Sequence, residues 1–284
     1  MAFMTKLIAH LGPNGTYSEV ATLFYAQLLS ETKGFESQLI PYPSISQTLS
    51  ALAQGKVDLA VVPIENSIEG TVTITLDTLW ELESLQIQQG LILPVVHNLL
   101  SRGINLEGIK TVYSHPQALA QCQKWLEKNL PQARLIATNS TTEAVQQINQ
   151  ETTAGAIASA RAAELYDLSI KVANINDYTY NFTRFWVVSP ESSSQGHHVS
   201  LGFSFSANIP GVLVKPLQIF ADRKINLTKI ESRPNKQVLG DYLFFLDLEA
   251  DSTTEEVKTA LQELSRLTKT LKIFGSYNLL KIDV

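Results

Sequence analysis

The feature that most constrains the fold of this chain is an alternation of apolar runs with helical or polar segments across residues 1–190. Apolar runs at 6–11, 57–65, 111–115 and 185–188 are typical of strands. Strand–helix alternation of this length predicts an α/β domain. The run at 57–65 has no polar alternation, which indicates a central strand of a parallel sheet that is covered on both faces.

An apolar, extended stretch at 85–99 interrupts this alternation and divides the domain into two lobes. We interpret residues 1–189 as one two-lobed domain, with the second lobe at about 85–175. By fold analogy, the strand at 185–188 returns to the first lobe, so the second lobe is an insertion. A chain of 284 residues is long enough for this domain and a second, smaller one.

Helix starts are predicted where a serine precedes Gln or Glu by three positions, which is the spacing of a capping box. Pro116 fits the first turn of one such helix, where its missing N–H costs nothing. That helix is expected to run without a break through PQALAQCQKWLEKNL. The three pairs are Ser44 with Gln47, Ser114 with Gln117, and Ser140 with Glu143.

A change of composition marks the second domain. Residues 190–197 are small and polar, as is typical of a linker. Residues 198–284 predict elements in the order β-α-β-β-α-β, with a last strand at 271–280. This order is the ferredoxin-like α+β arrangement.

Charge and cysteine content exclude several classes of partner. The formal net charge is −5 and no cluster of Lys or Arg appears, which argues against nucleic acid and membranes. An anionic small molecule is compatible, because a local site can be positive within an acidic protein. The single cysteine, Cys122, suits a reducing compartment and is either a small buried helix residue or a catalytic thiol. The N-terminus has no signal-peptide pattern, so we expect a soluble, cytoplasmic protein.

Two common kinds of active site find no support in the sequence. The five histidines have no ligand spacing with Cys, Asp or Glu, so no metal site is predicted. No G-x-S-x-G elbow is present to support a serine nucleophile. The candidate chemistry therefore lies in the polar loops that follow the strands, where α/β sheets bind ligands.

The first two of these loops offer hydroxyl, amide and carboxyl groups. GPNGTYS (12–18) brings Thr16 and Ser18 to a helix start, as either an anion cradle or an ordinary turn. PIENSIEG (63–70) brings Glu65, Asn66 and Ser67 to the end of a buried strand. Asn66 is either a donor to a carboxylate or part of a plain Asx turn.

The other two loops offer a histidine and an arginine. SHPQAL places His115 beside Gln117 at a helix start, where His115 is either a proton donor or a capping, solvated residue. NFTRF places Arg184 between Phe182 and Phe185. Arginine forms paired hydrogen bonds with carboxylates, so Arg184 is either a ligand for an anion or a surface residue at a strand start.

Together these stretches resemble one family, the prephenate dehydratases. GPNGTYSEVA, PIENSIEG, SHPQALAQC and NFTRFWVV occur in the order and approximate spacing of that family. ESRP (231–234) looks like the phenylalanine-binding signature of its ACT regulatory domain. The resemblance covers essentially the whole chain, and five motifs in register make it specific.

The resemblance implies conversion of prephenate to phenylpyruvate, water and carbon dioxide in phenylalanine biosynthesis, without a cofactor. It implies a catalytic domain like the type II periplasmic-binding-protein fold, with a cleft between two lobes. The family's Thr-Arg-Phe motif falls on Thr183, Arg184 and Phe185 as catalytic residues. By analogy, Thr183 donates a hydrogen bond or a proton to the leaving hydroxyl, with His115 as the alternative acid, and Arg184 binds a carboxylate. The expected substrate-binding residues are Thr16, Ser18, Glu65, Asn66, Ser67, Ser114, His115 and Gln117.

The resemblance also implies phenylalanine as an effector that binds between paired ACT domains of a homodimer or homotetramer. Val212 stands where the family usually has Ala, so the sign of the effector response stays open, with inhibition expected. The expected effector-binding residues are Asn208, Gly211, Val212 and Leu213 of one chain and Ile230, Glu231, Ser232, Arg233 and Pro234 of the other.

Two other functions remain open at the level of the sequence. Arogenate dehydratases run the same reaction on an amino acid, and no residue in the chain distinguishes the two substrates. A non-catalytic sensor or solute-binding protein with the same two-lobed fold is an alternative of another class. The lack of a signal peptide, of a helix-turn-helix and of basic charge argues against that alternative.

Overall fold

The computed structural model describes residues 5–103, 105–148 and 150–282. None of the helices in these ranges is both long and apolar enough to span a membrane. The first part of the chain forms β1 (Thr5–Leu11), α1 (Tyr17–Lys33), β2 (Glu36–Tyr42), α2 (Ile45–Ala53), β3 (Leu59–Asn66), β4 (Gly70–Thr71), α3 (Thr73–Glu81) and β5 (Gln86–Pro94).

The middle of the chain alternates strands and short helices, and one long strand follows them. Its elements are β6 (Asn98–Ser101), β7 (Thr111–Ser114), α4 (Pro116–Gln121), α5 (Gln123–Asn129), β8 (Arg134–Ala137), α6 (Thr141–Gln147), β9 (Ala154–Ala158), α7 (Ala160–Leu165), β10 (Ile170–Val172) and β11 (Phe182–Ser189).

The sheet of the first lobe contains strands from both parts of the chain, in the order β5-β11-β3-β1-β2, with β4 paired to β3. β11 lies between β5 and β3 and is antiparallel to both. The prediction that this strand returns to the first lobe is therefore confirmed. The sheet is mixed rather than parallel throughout, because β5 leads out to the second lobe and β11 leads back.

The predicted start of the second lobe at about residue 85 is wrong. The apolar stretch 85–99 contains β5, which belongs to the first sheet, and the start of β6, which belongs to the second sheet. The second sheet has the order β10-β6-β9-β7-β8. Both β5 and β6 are largely buried, so hydropathy alone does not reveal that the chain changes sheets between them.

The helix expected to run through PQALAQCQKWLEKNL is broken into α4 and α5 at Cys122. Asp177 causes the break, since its two carboxylate oxygens accept hydrogen bonds from the backbone N–H groups of Lys124 and Trp125 at 2.8 and 3.0 Å. A carboxylate at this position starts a new helix. Cys122 is fully buried, and burial raises the pKa of its thiol to about 12, which supports the structural interpretation of this residue.

Two of the three predicted helix caps form, and the third differs. Ser44 and Ser140 accept the backbone N–H groups three positions later, as predicted. At α4, however, the cap is His115, whose Nδ1 accepts from the Gln117 N–H at 3.3 Å. Ser114 is still in β7, where its hydroxyl donates to the Ile157 carbonyl at 2.7 Å, so it is not available as a cap.

The C-terminal domain has the predicted ferredoxin-like order, and its four-stranded sheet runs β13-β14-β12-β15. Its antiparallel pairing and two helices confirm the α+β expectation. The elements are β12 (His198–Ser204), α8 (Val214–Asp222), β13 (Asn226–Pro234), β14 (Tyr242–Glu249), α9 (Glu255–Leu267) and β15 (Thr270–Tyr277), followed by β16 (Leu279–Lys281).

The strand predicted at 271–280 is in fact two strands in two sheets. β15 ends at Tyr277, and β16 pairs in parallel with β5 of the first lobe. Gly90 permits this approach, because a Cβ there would lie 2.3 Å from the Leu279 side chain. The predicted linker 190–197 also packs closely, since Ser193 donates to the Ser276 carbonyl at 2.6 Å. The two domains are therefore joined by more than a flexible spacer.

The sheet of the C-terminal domain packs on the first lobe with the face that its helices leave free. Phe245 and Phe274 of this face share one buried core cluster with Trp186 of β11. Lys272 donates from Nζ to the Leu79 carbonyl near the C-terminal end of α3 at 2.7 Å, where a cation is favoured by the helix dipole. β11 thus lies between the cleft of the first domain and the C-terminal domain.

Candidate active site

A cavity of about 570 Å³ lies between the two lobes, where β1, β3 and β7 end and β11 begins. A cavity of this size fits a small organic molecule. Its lining combines both lobes and is mostly uncharged. The polar residues that line it are Thr16, Tyr17, Asn66, His97, His115, Gln117, Gln121, Asn139, Ser140, Thr141, Glu143, Gln146 and Thr183.

The Thr183 hydroxyl has a fixed partner at the edge of this cavity. Asn66 donates from Nδ2 to Thr183 Oγ1 at 3.1 Å. The orientation of the Asn66 amide is set by its own oxygen, which accepts the backbone N–H groups of Ile68 and Glu69 at 3.0 and 3.1 Å. Because Asn66 donates to Thr183, the proton of the Thr183 hydroxyl remains available for a molecule in the cavity.

A buried chain of hydrogen bonds continues from Asn66 into the second lobe. Asn66 also donates to Asn181 Oδ1 at 2.9 Å, and Asn181 donates to Gln121 Oε1 at 2.8 Å. The same Gln121 oxygen lies 2.9 Å from His97 Nε2, and His97 Nδ1 lies 3.1 Å from the Tyr17 hydroxyl. Asn66, Asn181, Gln121 and His97 are all buried, so this chain holds both lobes at the cavity in one arrangement.

The protonation of His97 follows from its neighbours. Gln121 donates from its own nitrogen to Glu69 at 3.2 Å, so its oxygen faces His97. His97 therefore carries its proton on Nε2. Burial lowers the pKa of His97 from its usual value of 6.5, against a smaller opposing effect of the Gln121 hydrogen bond, and the ring is neutral at pH 7.

His115 lies at the cavity but is a weak candidate for a strong acid. Burial lowers the pKa of its imidazole, with nearby Glu69 opposing that shift. The ring is therefore neutral at pH 7, and its Nδ1 is occupied by the Gln117 N–H. What it can offer a ligand is the N–H on Nε2.

Of the predicted substrate-binding residues, Thr16, Asn66, His115 and Gln117 line the cavity. Thr16 is also the cap of α1, and its Oγ1 accepts the Glu19 N–H at 3.4 Å. Asn66 forms the predicted Asx turn, and its amide nitrogen donates to Thr183, whereas a role as a donor to a carboxylate stays a prediction.

The other four predicted substrate-binding residues do not line the cavity. Ser18 is buried in α1, and Ser114 is buried in β7. Ser67 bonds to the backbone of residues 180–182, accepting from the Phe182 N–H at 3.0 Å. Glu65 alternates with Asn66 along β3 and forms ion pairs on the opposite face of the sheet. Strand alternation explains this last difference.

Arg184 and Phe185 also differ from the prediction. Arg184 alternates with Thr183 along β11, and its guanidinium binds Glu65 at 3.0 Å and Asp247 of the C-terminal domain. Burial opposes its charge, but Asp247, Tyr277 and Glu65 outweigh burial and raise the pKa of Arg184. Phe185 is 1% exposed and packs in the core. The assignment of Arg184 as a ligand for a substrate carboxylate is therefore corrected.

The cavity is also not the locally positive site that would suit an anionic small molecule. Its lining residues, all in the described part of the chain, include no lysine or arginine, and Glu143 is the one acidic member. An anion in this cavity is met by neutral donors and by the N-terminal end of α1 at Thr16.

The residues predicted to bind an effector fall into two groups. Glu231 and Arg233 face the first lobe, where Glu231 accepts from Thr71 at 2.9 Å and Arg233 donates to both carboxylate oxygens of Asp77. The alternating residues of β13 are exposed, as is the loop before α8. The exposed members are Asn208, Gly211, Ile230, Ser232 and Pro234, with Val212 and Leu213 partly exposed.

Four residues of the site were not among the predicted site residues: Tyr17, His97, Gln121 and Asn181. Three of them lie within the motifs quoted above, since Tyr17 is part of GPNGTYS, Gln121 is part of SHPQALAQC, and Asn181 is the first residue of NFTRF. A signal for Gln121 was its position one helical turn after Gln117, on the same side of the helix. No local pattern marks His97, which is brought to the cavity by the crossing between the lobes.

Comparison with known proteins gives a consistent result. A family model for prephenate dehydratase matches residues 8–193, and a model for the ACT domain matches residues 199–266. A prephenate dehydratase of Lactococcus lactis is 38% identical over 279 residues, covering 95% of this chain and 96% of the relative. A bifunctional chorismate mutase/prephenate dehydratase of Aquifex aeolicus is 40% identical over 271 residues, covering 95% of this chain and 73% of the relative. The crystal structure of a prephenate dehydratase from Arthrobacter aurescens in complex with L-Phe has a TM-score of 0.86 and 30% identity, covering 96% of this chain and 90% of that one.

The chain combines a two-lobed α/β domain that has a polar cleft with a ferredoxin-like domain that matches the ACT model. The family model that matches the first domain makes it a carbon–oxygen lyase with an ACT domain. The match extends over both domains and over 96% of the Lactococcus lactis relative. The chain belongs to the prephenate dehydratase family.

Proposed function

We propose that this chain catalyses the decarboxylating dehydration of prephenate to phenylpyruvate. The ring carboxylate leaves as carbon dioxide, and its electron pair enters the ring. The bond to the hydroxyl at the opposite ring carbon breaks, and that hydroxyl takes one proton and leaves as water. The observation that carries the proposal is that Asn66 donates to the Thr183 oxygen at 3.1 Å, so the Thr183 proton is available to the departing hydroxyl.

The acid strength of a threonine hydroxyl limits what Thr183 does. A hydroxyl is a poor acid, so we infer that Thr183 donates a hydrogen bond that strengthens as negative charge develops on the leaving oxygen. Formation of the aromatic ring supplies much of the driving force. His115, neutral at pH 7, likewise offers a hydrogen bond from its Nε2 N–H rather than a readily released proton.

Binding of the two substrate carboxylates is assigned to neutral groups. The cavity lining has no lysine or arginine. The end of α1 at Thr16 and the polar side chains at the cavity offer hydrogen bonds that favour an anion without a fixed counter-charge.

Substitution of Thr183 tests the proposal. Thr183→Val keeps the branched shape but removes the hydroxyl, and Thr183→Ala removes both. We expect each to lower kcat for phenylpyruvate formation by at least about 10²-fold, the scale of one general-acid contact. Thr183→Ser is the matched control, since it keeps the hydroxyl and should retain much more activity. Near-normal kcat in Thr183→Val would reject the role of this residue.

Arogenate is the second candidate substrate, and one residue favours it. Arogenate carries an ammonium group where prephenate carries a ketone, and Glu143 is the acidic residue in the cavity lining. One of its carboxylate oxygens accepts the Asn139 N–H at 2.8 Å, as part of the cap of α6. Comparing kcat/KM for the two substrates, in the parent chain and in Glu143→Gln, decides between them. A preference for arogenate that disappears in this variant would identify Glu143 as the cause.

We further propose that phenylalanine binds the ACT domain and inhibits turnover. In support, the Arthrobacter relative was solved in complex with L-Phe. On β13, Ile230, Ser232 and Pro234 are exposed, and they offer a surface to the loop at 208–213 of a second copy. The test measures L-phenylalanine binding by calorimetry together with its effect on kcat and on the molar mass in solution. Binding without any change in rate would limit the proposal to binding.

A further inference from the structure

The two faces of β11 serve two domains. Thr183 lines the cavity, and Arg184, the next residue, binds Glu65 at 3.0 Å and Asp247 of β14. Phe182 to Arg184 also pair with β5 along one edge. A change in the position of Arg184 therefore moves Thr183, because only one peptide unit separates their α-carbons.

Asp247 is held in place by a buried hydrogen-bond circuit. It accepts from Ser200 at 2.6 Å, and the Ser200 hydroxyl lies 2.7 Å from the Tyr277 hydroxyl. Tyr277 accepts in turn from Trp186 at 3.1 Å. The circuit begins at Arg184 and returns to β11 two residues later, so the C-terminal domain holds this strand at two adjacent positions on the same face. Asp247, Ser200 and Tyr277 are each at most 3% exposed.

The strand that carries Asn66 is held in the same way. Arg184 pairs with Glu65 across β11 and β3, and Thr183 pairs with Asn66. Glu65 also lies 3.3 Å from Lys229 of β13, whose side chain is 4% exposed. Asn66 and Thr183, whose hydrogen bond orients the Thr183 hydroxyl, are therefore each adjacent in sequence to a charged residue. The C-terminal domain binds both of these charged residues, Glu65 through Lys229 and Arg184 through Asp247.

The charges in this group balance, since Arg184 and Lys229 face Asp247 and Glu65. The side chains of Arg184, Asp247 and Lys229 are at most 12% exposed, and a buried charged group that loses its partner is strongly unfavourable. The four residues are thus expected to keep their arrangement as a unit, and a shift of β13 and β14 against the first lobe is expected to be transmitted to β3 and β11.

We propose that Arg184 is a positioning residue, and that its ion pair with Asp247 makes the geometry of the Thr183 hydroxyl depend on the ACT domain. The proposal rests on the dehydratase activity proposed above. It differs from a substrate-binding role for Arg184 in one measurable way: loss of the ion pair lowers kcat and leaves KM nearly unchanged, because no contact with the bound substrate is lost.

Asp247→Asn in the full chain is the main test. Asparagine keeps an oxygen for Ser200 but removes the charge that holds Arg184. We expect kcat to fall between about 10- and 100-fold, the scale of a small misplacement of a catalytic group. We expect KM to stay within about 2-fold of the parent value, as for a loss confined to the transition state.

The double variant Arg184→Gln with Asp247→Asn tests whether both residues act through one link. It should lower kcat no more than the stronger single variant, because each single change already breaks the link. The double variant removes one charge of each sign, so the net charge of the group is unchanged. It is therefore expected to fold even where a single change prevents folding. Additive losses would mean that the two residues act separately and would overturn the proposal.

Lys272→Met is the matched control, because Lys272 also crosses the domain interface but binds α3 rather than β3 or β11. It should leave kcat near the parent value even where it lowers the melting temperature. Equal kcat in Asp247→Asn and the parent would overturn the proposal, as would a rise in KM at unchanged kcat.

Two measurements separate a failure of the proposed dehydratase activity from a failure of the proposed positioning role of Arg184. Turnover of prephenate by the parent tests the proposed function. Hydrogen exchange of the backbone amides at 182–185, with Lys272→Met as reference, tests the positioning link without substrate. Faster exchange there in Asp247→Asn supports the link, and unchanged exchange overturns it.

Discussion

At the scale of single residues, the direction of one hydrogen bond supports the role that we propose for Thr183. The Asn66 oxygen accepts two backbone N–H groups, so the Asn66 nitrogen faces Thr183 and donates to its oxygen, which leaves the Thr183 proton for the proposed contact with the substrate. His97 contributes to the same arrangement through Gln121 and Asn181. Burial lowers the pKa of His97, so protonation of His97 at low pH is expected to destabilise this part of the fold.

We expect the stability of the fold to decrease as the pH falls below about 6.5, the usual pKa of histidine in an unfolded chain. Burial lowers the pKa of His97 in the folded chain, so between these two values the unfolded state binds more protons. The free energy of unfolding is then highest above the unfolded pKa and falls as the pH approaches the folded pKa. One proton accounts for at most about 1.4 kcal/mol per pH unit.

Urea unfolding at several pH values tests this expectation. The decrease in the free energy of unfolding on acidification should be smaller in His97→Gln than in the parent. It should not disappear, because burial also lowers the pKa of His10, His115 and His198. His197→Gln, at an exposed position, is the control and should follow the parent. An unchanged pH dependence in His97→Gln would exclude His97 as a contributor.

At the scale of elements, alternation along a strand assigns adjacent residues to different tasks. On β11, Thr183 faces the cavity and Arg184 faces the C-terminal domain; on β3, Asn66 and Glu65 divide in the same way. β16 is the outer strand of this sheet and pairs in parallel with β5, although it follows the C-terminal domain in the chain. Ile282, just after β16, donates its N–H to Ile92 at 2.9 Å and is 5% exposed.

We expect β16 to contribute to the stability of the first lobe. Ile282→Ala should lower the free energy of unfolding by about 2–5 kcal/mol, as for other buried aliphatic side chains. Ile273→Ala is the matched control, since Ile273 is 38% exposed and its loss should have a much smaller effect. Chemical denaturation of both variants measures the difference. Equal losses of unfolding free energy in the two variants would mean that β16 contributes little to the stability of the first lobe.

At the scale of the whole molecule, the two domains share a core rather than a linker alone. One buried cluster joins Trp186 of the first domain to Phe245, Phe274 and Tyr277 of the second. A shared core of this kind couples the unfolding of its parts. The domain interface is therefore expected to act as part of the fold.

Calorimetry should show one unfolding transition for the full chain, not two. Phe245→Ala removes a side chain that is 2% exposed from the shared core, and should cost about 3–5 kcal/mol while the single transition moves to a lower temperature. Leu239→Ala, at a fully exposed position, is the control and should leave the transition unchanged. Two separated transitions in the parent chain would contradict the shared core.

Much of the fold and part of the site were predictable from the sequence. Hydrophobic periodicity predicted the α/β and ferredoxin-like domains, and local spacing predicted the caps at Ser44 and Ser140. The position of polar loops after the strands predicted Asn66 near the ligand site, and the family resemblance added Thr183; both line the cavity. Periodicity and caps depend on residues a few positions apart, so the local sequence is enough to determine them.

The tertiary structure alone decided which distant groups meet. Asp177 starts α5 from a position more than 50 residues away in the chain, and Asp247 binds Arg184 across 63 residues. Arg184 in the sequence is a cation beside the threonine that we propose to be catalytic, which suits a substrate ligand as well as an internal ion pair. Its ion-pair partners were decided by which side of the sheet the C-terminal domain covers. The sequence by itself determined the elements and the motif loops through short-range periodicity, whereas packing of the two domains decided the ion pairs, because those depend on contacts that no local pattern encodes.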